Sequence, residues 1–190
     1  GNQNTAMGSR SLSVNTTGSY NTALGNNALN CFQTGEYNTA VGKSSMAGSG
    51  SECGDADATY STGSYNTALG AESLIDVTTG SKNVAMGYQA GYSNTTGEKN
   101  VAIGYQAGYS STISSENIAI GYQALYSHTD YFGTSLGRNV AVGTEALYAN
   151  TSGIYNHAFG YRSMYNNTTG FYNSAFGARS MLANTTGNQN

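Results

Sequence analysis

The chain has 190 residues, with 26 glycines, 16 tyrosines, no proline and no tryptophan, and only 9 % of its residues are charged. The formal net charge of −3 comes without a basic stripe, which argues against a nucleic-acid partner. No apolar run approaches the roughly 20 residues that span a bilayer, so membrane insertion is not expected. The chain is too apolar and too rich in tyrosine for a disordered protein, and its composition predicts a regular fold with many turns.

One motif, Asn-x-Ala-x-Gly, recurs ten times, and Asn190 begins an eleventh copy. Eight of the ten steps between successive copies are 17 residues long, as from Asn4 to Asn21. The steps from Asn38 and from Asn117 are longer. A fixed short period is typical of a solenoid, in which each unit forms one coil stacked on the previous coil. We therefore expect residues 1–190 to form a single all-β array, a parallel β-solenoid of about eleven 17-residue coils with two short strands each. The motif begins at Asn4, Asn21, Asn38, Asn66, Asn83, Asn100, Asn117, Asn139, Asn156 and Asn173.

The first predicted strand of each coil follows the motif asparagine, which is counted below as position 1. Position 3 is Ala in all ten copies, as in Ala23, Ala85 and Ala102, and position 4 is always large and apolar. Because neighbouring residues of a strand point to opposite faces, one face carries only Ala and the other carries the bulk. The large residues form a stripe that includes Leu24, Met86, Ile103, Ile120, Val142, Phe159 and Phe176.

A second predicted strand repeats this division, with Ser or Ala at position 8 and Leu, Met or Gly at position 9. If the small faces meet inside one chain, the large residues form an outer stripe that another chain has to cover. If the large residues lie inside a fatter coil, no partner is needed. We favour the first arrangement because a strictly repeated Ala has no obvious cause on a surface that faces solvent.

Glycine and asparagine are expected to shape the corners of the coil. Gly at position 5 predicts a corner with positive φ or a close backbone approach, as at Gly25, Gly87 and Gly104. The Thr-Thr-Gly sequence at positions 13 to 15 supplies a second corner. The position 1 asparagines are expected to form an amide ladder from coil to coil, with Asn21, Asn83 and Asn100 as examples.

Three consecutive runs carry a family resemblance: NVAMGYQAG at 83–91, NVAIGYQAG at 100–108 and NIAIGYQAL at 117–125. They resemble the head repeats of trimeric autotransporter adhesins and the similar repeats of phage tail-fibre and other surface fibre proteins, and the likeness extends over the whole chain. The resemblance implies a left-handed parallel β-roll and three chains side by side. It also implies an adhesive or shaft role outside the cell, on a cell surface or a virion. The 17-residue unit is longer than is usual in adhesin heads.

The two longer steps contain insertions, at about residues 47–62 and 128–136, which emerge from the same edge of the rod. Loops at one edge of a repeat scaffold commonly carry binding specificity, so a cell-surface receptor or a glycan is the expected ligand. A tolerated insertion without function is the alternative.

Cys31 and Cys53, the only two cysteines, are expected to lie near each other along this edge. A disulfide between them would fix the first insertion and imply an oxidising, extracellular setting. Two cysteines alone are an incomplete zinc site, and no metal or other cofactor is expected. His128 and His157 lie in different coils and no catalytic set is legible, so we do not expect an enzyme.

Six N-glycosylation sequons begin at Asn15, Asn94, Asn150, Asn166, Asn167 and Asn184. All of them except Asn166 fall at position 12 of a coil, so they could carry a row of glycans along one edge. The alternative, which we favour for a bacterial or viral source, is that Asn-Thr-Thr-Gly is simply a good turn sequence.

The sequence as a whole favours a structural subunit of an extracellular fibre, with an adhesive role through its edge loops. The sequence GNQN at 1–4 recurs at 187–190, and this match raises the possibility of end-to-end stacking into a filament, besides lateral association into a trimer. The alternative function is a receptor-binding segment of a phage tail fibre or of a trimeric adhesin head. Ice binding is a third, weaker hypothesis, because the threonine row at position 2 of the first four coils is replaced by other residues from Val84 onward.

Overall fold

The computed structural model describes residues 1–48, 53, 60–129 and 136–190. These residues contain ten strands of three residues each, one at positions 2 to 4 of every motif copy. The strands are β1 (Thr5–Met7), β2 (Thr22–Leu24), β3 (Thr39–Val41), β4 (Thr67–Leu69), β5 (Val84–Met86), β6 (Val101–Ile103), β7 (Ile118–Ile120), β8 (Val140–Val142), β9 (His157–Phe159) and β10 (Ser174–Phe176).

The strands form one parallel sheet in strict chain order, β1 to β10. Each pairs with the next in the register of the repeat, so that Ala23 lies opposite Ala40, and Ala85 opposite Ala102. Both insertions leave this register intact, since Ala40 pairs with Ala68 and Ala119 with Ala141. The predicted all-β parallel solenoid is therefore confirmed, with ten strands separated by about nine turns rather than the eleven coils expected from the sequence.

The prediction of a second strand in each coil is wrong for the described residues, where positions 7 to 10 form turns. Positions 7 and 9 have positive φ even where they are not glycine, as at Asn27 (58°) and Leu29 (51°). The backbone still bonds from coil to coil here, because Asn27 N donates to Ser9 O at 2.9 Å and Leu29 N donates to Ser45 O at 3.1 Å. The left-handed residues interrupt the alternation of faces that defines a strand.

As a result, positions 8 and 9 both point into the coil. Ala28 and Leu29 are fully buried, and so are Ala124 and Leu125. The interior thus includes the Ala of position 3, the Ala or Ser of position 8 and the Leu or Met of position 9, together with Phe32 and Val77 of position 12. Each of the two arrangements considered from the sequence is right for one half of the coil, because the large residues of position 4 point outward whereas those of position 9 point inward.

Candidate interaction surfaces

The outer face of the sheet carries the large apolar side chains of position 4. Phe176 keeps 71 % of its surface exposed in the single chain, Leu24 keeps 38 %, and Ile103, Ile120, Val142 and Phe159 are half-buried. Met86 is exposed as well. The rings of Phe159 and Phe176 stack, with their centroids 4.8 Å apart. The predicted stripe therefore lies on the outside of this chain.

A second outward row runs beside this stripe at position 2. It begins with threonines in β1 to β4 and changes to Val84, Val101, Ile118 and Val140 in β5 to β8. His157 follows in β9, where it pairs with Val140 and Ser174 in the sheet register. The outer face is consequently most apolar in its middle, where both rows consist of aliphatic side chains.

Tyrosines form ladders along the rod that were not expected from the sequence. The longest, called here the central tyrosine ladder, occupies position 10 and consists of Tyr92, Tyr109, Tyr126, Tyr148 and Tyr165. Their ring centroids are 4.9 to 5.2 Å apart and their planes nearly parallel. Shorter stacks occur at position 6 (Tyr88, Tyr105, Tyr122) and position 17 (Tyr20, Tyr37, Tyr65). The recurrence of tyrosine at the same position of successive coils was the signal that could have predicted them.

Burial raises the pKa of three phenols of the central tyrosine ladder, Tyr92, Tyr109 and Tyr148. Desolvation is the main cause at Tyr92, followed by the charge of Asp76, and at Tyr109 desolvation is followed by the neighbouring Tyr126. The pKa of Asp76 is itself raised by burial. Since the ring faces are stacked on each other, the ladders present ring edges to solvent.

Polar side chains form matching rows between coils. Gln123 Nε2 donates to Gln106 Oε1 at 2.9 Å, Gln106 donates likewise to Gln89, and Gln89 donates to Glu72 Oε2 at 2.8 Å. At another edge, Arg138 Nε donates to Glu116 Oε2 at 2.6 Å. This bond holds the pKa of Glu116 below its ordinary value, mainly through the hydrogen bond and then through the charge of Arg138. All these pairs join residues of successive coils.

The position 1 asparagines form a ladder of the predicted kind. Asn83 N donates to Asn66 Oδ1 at 2.9 Å, and Asn100 N donates to Asn83 Oδ1 at the same distance. In most coils this amide also closes its own coil, as when Asn21 Nδ2 donates to Gly35 O at 2.8 Å, and Asn117 Nδ2 is an exception. Because Asn21 and Asn83 are buried, these bonds hold the interior together and are not accessible to a ligand.

The glycines of position 5 have the predicted positive φ, near 130° at Gly25, Gly87 and Gly104. A Cβ atom at Gly87 would lie 2.5 Å from the carbonyl oxygen of Gly104 in the next coil. Both the backbone conformation and the close stacking of coils therefore require glycine at this corner.

The structure joins Cys31 and Cys53 in a disulfide, with their Cα atoms 5.2 Å apart. Cys31 is buried against the coil and Cys53 belongs to the first insertion. The remainder of the predicted loops, residues 49–52, 54–59 and 130–135, lies outside the described residues. The described flanks of both insertions leave the coil between positions 11 and 15, on the same edge.

The sequons differ sharply in accessibility. Asn94, Asn150 and Asn167 are buried, and their amides are engaged in hydrogen bonds: Gly97 N donates to Asn94 Oδ1, and Asn167 Nδ2 donates to Asn150 Oδ1. The prediction of a row of glycans is therefore wrong for these three asparagines, because the amide nitrogen that would carry the sugar faces the interior. Position 12 points inward as part of a turn. Asn15 and Asn184 are half-buried, and Asn166, at position 11, is exposed.

His128 and His157 lie in different environments. His128 is fully buried with Nδ1 3.2 Å from Asn150 Nδ2, whereas His157 is exposed on the outer sheet face. Among the described residues, no three His, Cys, Asp or Glu side chains form a group that could hold a metal ion. The same residues include no helix of the length and apolarity needed to cross a bilayer.

Comparison of the chain with models of protein families, with curated proteins and with solved structures finds no match.

Proposed function

We propose that the chain is a structural segment of an extracellular fibre in which three copies associate side by side through the outer face of the sheet. The observation that carries this proposal is the outward position of the large residue in every strand. It places a continuous apolar stripe on the surface of the single chain.

The size of the stripe supports association. Neighbouring parallel strands are about 4.8 Å apart, so the ten strands make a face roughly 43 Å long. Soluble monomers rarely expose contiguous apolar patches larger than a few hundred Å². In β5 to β8 the aliphatic residues of position 2 widen the stripe, which makes these coils the driest part of the proposed interface. The number three is taken from the resemblance of the repeats to trimeric fibre proteins.

We assign the adhesive role to the two insertions, which leave the coil between positions 11 and 15, away from the strands of the outer face. The anchoring of the first insertion by the Cys31–Cys53 disulfide supports this assignment, since a fixed loop loses less conformational entropy on binding a receptor or a glycan. A disulfide also suits a location outside the cell, on a cell surface or a virion. The buried, hydrogen-bonded polar groups of the interior support a structural role over a catalytic one.

The alternative is that receptor binding is the main purpose of the segment, as in a phage tail fibre or an adhesin head. The two functions differ in the effect of the first insertion. Replacing residues 49–59 by a short turn should leave assembly unchanged in both cases, but it abolishes attachment to the target cell only if the loop is the receptor-binding element.

The assembly itself is tested by charge placed on the outer face. Ile103→Lys combined with Ile120→Lys should convert the associated form into single chains, measured as molar mass by light scattering. A matched control, Thr79→Lys with Thr96→Lys, adds the same charge at two exposed threonines of the turn and should leave the mass unchanged. An unchanged mass in the isoleucine variant would remove the outer sheet face from the interface.

A further inference from the structure

Within the described residues, the interior of the solenoid contains a small cavity at the point where two successive coils lack a large side chain. Its volume is about 20 Å³, and it lies between Leu74 on one side and Leu125 on the other. Gly91 and Gly108, which occupy position 9 of the two coils, line it together with Ser111 and Asn117.

The sequence explains why the cavity forms here. Position 9 is Leu or Met in all other coils and is buried in most of them, but it is glycine at residues 91 and 108. Position 12 of the second coil is Ser111, whereas the preceding coil has the longer Asn94 and the following coil has His128. Three shortened side chains in adjacent places leave a gap that the neighbouring leucines do not fill.

Two of the residues that line the cavity have a buried polar atom without a hydrogen-bond partner in the described part of the chain: Ser111 at Oγ and Asn117 at Nδ2. Ser111 is 7 % exposed and Asn117 is 4 % exposed. In neighbouring coils the same amide closes the coil, as Asn100 Nδ2 does by donating to Ser114 O at 2.8 Å. In the coil of Asn117 this closing bond is not formed.

We propose that this cavity binds one water molecule, held by Asn117 Nδ2 and Ser111 Oγ. A single water needs roughly 10 to 15 Å³ of space for its centre and two to four polar partners. The water oxygen accepts a hydrogen bond from the asparagine amide, and the serine hydroxyl completes the site as donor or acceptor. An apolar cavity of this size would stay dry, and the two polar atoms are what favours water here.

Replacing Gly108 by leucine provides the matched test. Leu125 occupies position 9 of the next coil with φ 53°, close to the φ of 60° at Gly108. A Cβ at Gly108 meets Ala102 Cβ at 3.6 Å and Ala119 Cβ at 3.9 Å, which are ordinary contacts. We therefore expect Gly108→Leu to fold and to fill the cavity. Circular dichroism of the variant checks that the sheet is retained.

Water itself is the probe. Oxygen-17 magnetic relaxation dispersion counts long-lived internal waters, and the wild-type chain should show one more of them than Gly108→Leu. Equal counts would overturn the proposal, as would binding of xenon at this site in a pressurised crystal, because xenon occupies dry apolar cavities.

Thermal unfolding gives an independent readout. If the cavity holds water, Gly108→Leu expels it and leaves Ser111 and Asn117 unsatisfied, so its Tm should not exceed that of the wild type. Adding Ser111→Ala should then raise the Tm, because one unsatisfied group is removed. A large rise in Tm for Gly108→Leu alone would show that the cavity was dry.

Discussion

The backbone amide of Asn83 donates to Oδ1 of Asn66 at 2.9 Å, and its side-chain Nδ2 donates to the same oxygen at 3.1 Å. Asn66 in turn donates through Nδ2 to Gly80 O at 2.9 Å. One side chain thus links its coil to the next and also closes its own coil.

This double role predicts a large effect of Asn66→Ala. The substitution leaves Asn83 N and Gly80 O without their partners, and each buried unsatisfied group costs about 1 to 3 kcal/mol. We expect the free energy of unfolding in urea to fall by about 2 to 6 kcal/mol. Asn166→Ala is the control, because Asn166 is exposed and should change stability by no more than about 0.5 kcal/mol. Equal effects of the two variants would contradict the ladder.

Two glycines of position 5 allow the stability cost of a steric clash to be measured apart from the cost of backbone strain. A Cβ at Gly87 would lie 2.5 Å from Gly104 O, whereas a Cβ at Gly177 meets no atom within 4 Å. Both glycines have positive φ, 132° and 113°. Gly177→Ala should therefore cost only the strain, about 1 to 3 kcal/mol, and Gly87→Ala should cost clearly more, as measured by chemical unfolding. Similar losses would mean that the coils are not packed this closely.

The central tyrosine ladder predicts a difference between two substitutions of Tyr126. This ring stacks on Tyr109 at 5.1 Å and on Tyr148 at 5.2 Å. Tyr126→Ala should lower the free energy of unfolding by about 1 to 3 kcal/mol, because two aromatic pairs of about 0.5 to 1.5 kcal/mol each are lost. Tyr126→Phe retains both stacks and should stay close to the wild type. If both variants lose the same stability, the hydroxyl group matters and the stacking does not.

The raised pKa values of Tyr92, Tyr109 and Tyr148 predict alkaline sensitivity. A phenol with a folded pKa above its ordinary value of 10.0 keeps its proton longer in the folded chain than in the unfolded one. Its contribution to stability is complete below the unfolded pKa and is lost as pH rises through the folded pKa. Tyrosinate absorbance of these residues should therefore appear above that ordinary value, together with the loss of circular dichroism. Titration of all tyrosines at their ordinary value in an intact fold would contradict this prediction.

The Cys31–Cys53 bond predicts that the denatured, unreduced protein contains no free thiol. Reduction should lower the Tm, since the bond constrains the unfolded chain across a sequence separation of 22 residues. Cys31→Ser combined with Cys53→Ser should be insensitive to reductant, which makes this variant the control. Two titratable thiols in the isolated protein would rule out the disulfide.

Much of the fold could be predicted from the sequence because one physical unit is repeated. The Ala of position 3 marks the inner face of each strand, and the Asn of position 1 fixes the register between coils, so the order and pairing of the strands follow from the regular spacing of the motif. Both insertions could be recognised as additions because the motif resumes unchanged after them.

The second half of the coil could not be predicted in the same way. Leu29 and the other residues of position 9 adopt positive φ, a conformation that sequence patterns rarely reveal for leucine or methionine. The assumption of alternating faces then places them on the wrong side. For the same reason Asn94 and Asn167 look like exposed turn residues in the sequence, although the turn directs them inward.

The tyrosine ladders show a different limit. Tyrosine recurs at positions 6, 10 and 17, which could have been read from the repeat, but the stacking of rings between coils depends on in-register pairing at about 5 Å. The structure adds the geometry, in which the rings of Tyr109 and Tyr126 stack nearly parallel with their centroids 5.1 Å apart.

The central claim is that the apolar outer face of the sheet is covered by other copies of the chain. Its most direct test is the molar mass of the native protein by light scattering, with electron micrographs of the same sample. We predict a mass three times that of one chain and rods of uniform width. A stable single chain at working concentration would contradict the claim.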